Sequence, residues 1–102
     1  MDEYEAIVSD EARRQMGDCV RFIAKDDAAA AEKLKDRMVS EIRSLSEMPA
    51  RFPFFNEEYL PWNKYHKLFV EKYYLVLYQV KDTTVYVDYI IDCRRDYQWL
   101  IR

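Results

Sequence analysis

Between residues 65 and 91 the chain carries three apolar, aromatic-rich runs: YHKLFVE (65–71), YYLVLYQV (73–80) and TVYVDYII (84–91). β-Branched and aromatic side chains suit a pleated backbone, so all three read as strands. A sheet wetted on one face shows alternating apolar and polar residues, and the second and third runs do not. Both faces of this sheet must therefore be covered or lined with tyrosine. Lys81-Asp82-Thr83 is a short turn, which makes the last two runs a hairpin.

Residues 1–64 read as the elements packed around that sheet. YEAIV (4–8) is a short first strand. Ser9 follows as an N-cap, with Asp10 and Glu11 placing negative charge at a helix N-terminus. Ala12, Met16, Cys19, Val20 and Ile23 then form one helical stripe,. Lys25-Asp26-Asp27 breaks it, and either aspartate suits the cap of a second helix. That helix opens on Ala28–Ala31, has the stripe Ala31, Leu34, Met38, Ile42 and Leu45, and stops before Pro49. Two amphipathic helices joined by so few residues form an antiparallel αα-hairpin. Met16 and Met38 are expected in the core.

PARFPFFNEEYLPWNK (49–64) has neither period but holds Phe52, Phe54, Phe55, Tyr59, Leu60 and Trp62. A loop this aromatic is expected to pack down as a lid over one end of the core, with Trp62 as a packing anchor. The whole is one domain over residues 1–102, an α+β two-layer fold of order β-α-α-β-β-β on an antiparallel sheet of about four strands.

Charge excludes several function classes. The net charge is −3, three uncompensated acids sit at the N-terminus (Asp2, Glu3, Glu5), and the remaining chain is nearly neutral. No global field steers it to a polyanion, so any nucleic-acid contact must be a local patch. One glycine rules out a glycine-rich phosphate loop,. One histidine and two distant cysteines argue against a zinc site, and no cofactor is expected,. The acidic start has no apolar signal core and no run suits a membrane span, so a cytoplasmic protein with reduced thiols is expected.

A basic and aromatic set near the strand ends remains. Lys64, His66 and Lys67 open the first of the three strands, while Arg94, Arg95, Tyr97 and Arg102 follow the last. If the start of the first and the end of the third share an edge, these groups converge. Guanidinium forks would then grip phosphates, and an imidazole would trade protons near neutral pH. Such a set cleaves RNA without metal. The plainer alternative pairs Arg94 and Arg95 with Asp92 and Asp96 at a solvated end, with His66 a surface strand residue. Trp99 suits packing or an exposed partner contact. Asp88, alone in an apolar strand, is expected to face solvent or a base.

Four stretches taken together carry a family resemblance: YEAIVSDEA, AAAEKLKDRMVSEIRSLSEMP, HKLFVEKYYLVLYQV and VYVDYIIDCRRDY. In order and spacing the chain resembles toxins of the RelE/ParE superfamily, the stable partners in bacterial type II toxin–antitoxin pairs. The resemblance implies a growth inhibitor held silent by a cognate antitoxin. It also implies one of two targets: mRNA cut on the ribosome, as in RelE-like members, or DNA gyrase, as in ParE-like members. Arg95 matches the arginine that RelE-like nucleases keep after the last strand, with Arg94 beside it, and Lys67 and His66 partly match their strand lysines. Two other positions of that set fall on Leu75 and near Ile101. As an enzyme the chain would use Arg95 as transition-state clamp, His66 or Tyr97 as acid–base group, and Lys64, Lys67 and Arg94 as phosphate contacts. As a binding toxin it would use the same terminal edge with Trp99 and Arg102. A degenerate toxin would keep only antitoxin binding.

Overall fold

The computed structural model describes residues 3–95. Its elements are β1 (Glu5–Val8), α1 (Asp10–Ala24), α2 (Ala28–Arg43), 3₁₀ turns at Ser44–Ser46 and Pro49–Arg51, β2 (His66–Val70), β3 (Tyr74–Lys81) and β4 (Thr84–Asp92). Both helix starts are set by the capping chemistry read in the sequence. The Ser9 hydroxyl accepts from the Ala12 amide at 3.0 Å, and the Asp27 carboxylate accepts from the Ala30 amide at 3.0 Å,. Ser9 also donates to the Asp88 carbonyl at 3.1 Å, which ties the start of α1 to the middle of β4.

The sheet order is β1-β4-β3-β2. β2, β3 and β4 form an antiparallel meander, but β1 lies parallel to β4, with Ile7 opposite Tyr86. The sheet is mixed because the chain leaves β1 through the αα-hairpin, a crossover long enough for parallel pairing. In β3–β4 the register shifts between Leu77, opposite Tyr89, and Tyr78, opposite Val87, leaving Asp88 as the extra residue of a bulge,. Beyond the end of β1, the Ile90 amide on the other edge of β4 donates to the Gln15 side chain of α1 at 2.8 Å.

Strand alternation divides the apolar residues between two cores. Leu68, Val70, Val76, Tyr78, Val85 and Val87 face the hairpin and meet Ala12, Cys19, Leu34, Met38, Ile42 and Leu45. Leu75, Leu77 and Ile91 point to the other face, where Tyr65, Phe55, Tyr59, Leu60 and Tyr89 cover them. The aromatic loop is thus not a lid on one end. It supplies the second layer of cover that the nearly unbroken apolar strands demand. Trp62 is not an anchor in that layer, being 77% exposed.

Candidate functional site

The chain leaves β4 through a turn held by a buried carboxylate. The Asp92 side chain, 2% exposed, accepts from the Arg94 amide at 3.0 Å and from Arg94 Nε at 3.4 Å. The Arg95 amide donates to the Asp92 carbonyl at 3.0 Å. An aspartate bonding two residues ahead is an Asx turn, and here it aims two successive arginines outward. Arg94 Nη2 donates to the Tyr74 hydroxyl at 3.0 Å. Its guanidinium lies 4.4 Å from the Tyr73 ring centre and 5.6 Å from that of Tyr74. Burial pushes the Tyr74 phenol up, and the neighbouring Arg94 charge partly opposes this,. Arg94 therefore pairs with Asp92, as the plainer reading of the sequence expected.

Arg95 takes a different path. Its guanidinium sits 4.2 Å from the ring centre of Phe22 on α1, and Lys25 Nζ lies 5.8 Å from the same ring,. A cleft of about 290 Å³ opens beside it, lined by Glu11, Arg14, Gln15, Asp18, Ile90 and Arg95 among others. Its carboxylates are occupied: Glu11 and Asp18 both bridge to Arg14, and Asp18 also to Arg21. A smaller groove of about 230 Å³ runs between Ile23, Ala30 and Leu34 of the hairpin and Tyr73, Tyr74 and Arg94. The turn leading into it holds two successive non-glycine residues at positive φ, Glu71 (54°) and Lys72 (72°). Phe22 and Tyr73 remain 43% and 45% exposed, so this end presents aromatic surface beside two oriented guanidinium groups.

The other sequence candidates do not join it. β2 and β4 both run opposite to β3, so they run the same way, and the start of one lies far from the end of the other. His66 is level with Tyr78 of β3 and Val87 of β4. From Val87 to Asp92 the strand climbs five residues, roughly 17 Å at 3.4 Å each. His66 is no surface residue either. It is 7% exposed, stacks on Phe54 and Tyr78 at ring separations of 4.2 and 5.2 Å, and its Nδ1 lies 2.7 Å from the Phe52 carbonyl. A carbonyl only accepts, so Nδ1 carries the proton and donates. Lys67 points to the opposite face of β2 from His66, its ammonium 5.8 Å from the Phe55 ring centre, while Lys64 lies 5.3 Å from that of Tyr65. The expected convergence of Lys64, His66 and Lys67 with the arginines is therefore corrected. Tyr97, Trp99 and Arg102 lie outside the described residues.

Asp88 also departs from its expected place. Its carboxylate accepts from Gln79 Nε2 at 2.7 Å, and no base among the described residues pairs with it. The Tyr65 phenol, pushed up to about 12 by burial and then by the nearby Asp88 carboxylate, completes the contact,. Among the described residues no group of three His, Cys, Asp or Glu is placed to hold a metal ion. No helix among them is long and apolar enough to cross a membrane.

Sequence reading missed Phe22, Tyr73 and Tyr74 as parts of this end. Phe22 had a signal, since it falls outside the apolar stripe of α1 and so had to face away from the core. Asp92, two residues before Arg94, carried the Asx-turn signature.

The sequence model described as "ParE toxin of type II toxin-antitoxin system, parDE" matches residues 6–97. The chain belongs to the ParE toxin family. No curated protein matches its sequence. Among solved structures it is similar to one titled "Chromosomal ParDE TA system from P. aeruginosa", with a TM-score of 0.74 and 13% identity, covering 90% of this chain and 98% of that one. At that identity the likeness speaks for the fold, whose β-α-α-β-β-β order agrees with the expectation from sequence. Membership in the ParE family makes the chain a toxin of the type II class.

Proposed function

We propose that this ParE-family protein is a growth inhibitor that acts in the cytoplasm by binding and poisoning DNA gyrase, and that a cognate antitoxin neutralises it. The observation carrying the reading is the strand register, which separates Arg94 and Arg95 from His66, one of the two acid–base candidates for metal-free RNA cleavage,. The two guanidinium groups are instead held against aromatic rings at the exit of β4, an arrangement suited to protein contact,. In this reading Arg94, Arg95, Phe22 and Tyr73 form the contact surface.

Induced expression in bacterial cells tests the proposal. Growth arrest with gyrase-dependent DNA breaks and intact mRNA is the expected result. New mRNA ends without DNA breaks would replace it with ribosome-dependent cleavage. Absence of any growth defect would leave a degenerate toxin that retains antitoxin binding alone.

A further inference from the structure

At the end of β4 the fold buries a charge where a neutral acceptor would make the same turn. The Asp92 side chain is 2% exposed, and both bonds it takes, from the Arg94 amide at 3.0 Å and from Arg94 Nε at 3.4 Å, fall on Oδ1. Asparagine forms the same Asx turn, offers a carbonyl oxygen at that place, and avoids the desolvation that a buried carboxylate suffers. The turn alone therefore does not account for the charge. Among the described residues the carboxylate makes its ion pair with Arg94, whose side chain is still 46% exposed.

Arg94 is gripped in turn by the tyrosines that open β3. Its Nη2 donates to the Tyr74 hydroxyl at 3.0 Å, and its guanidinium lies 4.4 Å from the Tyr73 ring centre. Tyr74 is 4% exposed and packed in the core beneath the hairpin, so its hydroxyl is a fixed point. A free arginine surrenders rotamer freedom when it meets a partner. One already held at Nε and Nη2 surrenders less, and presents its other N–H groups from a set position. Asp92 and Tyr74 are both too buried to touch a partner themselves. We infer that they are positioning residues, which act on the target through Arg94 by holding its guanidinium ready at the β4 exit. This rests on the contact surface proposed above and deepens it, adding the pair that preorganises one of its arginines.

A double-mutant cycle with purified full-length toxins and DNA gyrase tests the inference, reading the toxin concentration at half-maximal DNA cleavage beside each variant's melting midpoint. Asp92→Asn and Tyr74→Phe keep the side-chain shapes, and each should raise that concentration about fivefold. Both should melt close to wild type, because a half-exposed Arg94 is solvated without its partners,. Arg94→Lys keeps the charge but lacks the fork that spans Asp92 and Tyr74, and should lose as much as Arg94→Ala. In the Arg94→Ala background neither Asp92→Asn nor Tyr74→Phe should weaken the toxin further. Equal losses with and without Arg94 would make the two residues general supports of the fold and overturn the inference. So would unchanged potency in both single variants, or full potency in Arg94→Lys. Should Asp92→Asn fail to fold, Tyr74→Phe carries the cycle alone. Wild-type toxin that leaves gyrase uncut would refute the gyrase reading, and the same cycle read on growth arrest in cells then decides the positioning role by itself. A wild-type chain that arrests no growth would overturn both.

Discussion

Replacing His66 with leucine separates a structural histidine from a catalytic one. The substitution removes the hydrogen bond from Nδ1 to the Phe52 carbonyl and the ring contacts with Phe54 and Tyr78. Leaving this part-buried carbonyl unpaired costs about 1 kcal/mol, the low end of the range for a buried group,. Each lost aromatic stack adds about 0.5–1.5 kcal/mol, and the burial of leucine offsets part of the sum. A net loss of about 2 kcal/mol follows. For a domain of this size each kcal/mol moves the melting midpoint by roughly 4–8 °C, so His66→Leu should melt roughly 10 °C lower. Circular dichroism melts and urea titrations measure the loss. Growth arrest at a temperature where the variant stays folded measures function, and it should persist. An unchanged midpoint would refute the structural role. Toxicity abolished in a variant of full stability would restore His66 as a chemical group.

Three further outcomes follow from the packing and the turns. Lys72→Gly should stabilise the protein by about 1 kcal/mol, because a side chain at φ 72° pays a left-handed penalty that glycine avoids,; a lower urea midpoint would contradict this. Tyr78→Phe removes a fully buried hydroxyl that donates to the Pro49 carbonyl at 2.5 Å and should cost about 1–2 kcal/mol in the same assay,. The Tyr65 and Tyr78 phenols, both pushed up to about 12 chiefly by burial, bear on alkaline stability. Their folded-state values lie above the unfolded value near 10, so the stability they contribute is complete below about pH 10 and is lost as pH rises toward 12. Tyrosinate absorbance should show two late-ionising groups that titrate together with unfolding, and early, complete ionisation of a folded protein would contradict the assignment.

Most of the fold was legible because local chemistry and long-range packing agree. Ser9 and Asp27 cap the helices, the Ala12–Ile23 and Ala31–Leu45 stripes face the sheet, and the unbroken apolar strands required two covers,. The site was less legible, because it depends on direction as well as content. Nothing local to His66 or Arg95 says that β2 and β4 run the same way; only the antiparallel pairing of each with β3 does. The burial of His66 was hidden for a related reason. Its partners Phe52, Phe54 and Tyr78 come from a loop and another strand, and a lone polar residue at a strand start resembles a surface residue. Trp62 misled in the opposite sense, since an aromatic among aromatics reads as core until the Asn56–Asn63 closure turns it outward.

The central claim is that the toxin works through gyrase by contact at the β4 exit. The most direct measurement adds purified wild-type toxin and Arg95→Ala to DNA gyrase and plasmid and scores cleaved-complex DNA. Double-strand breaks should accumulate with wild type and be at least tenfold fewer with Arg95→Ala, at equal folded stability, on the scale of one lost hot-spot contact. Wild-type toxin that leaves gyrase untouched while cutting ribosome-bound mRNA would contradict it.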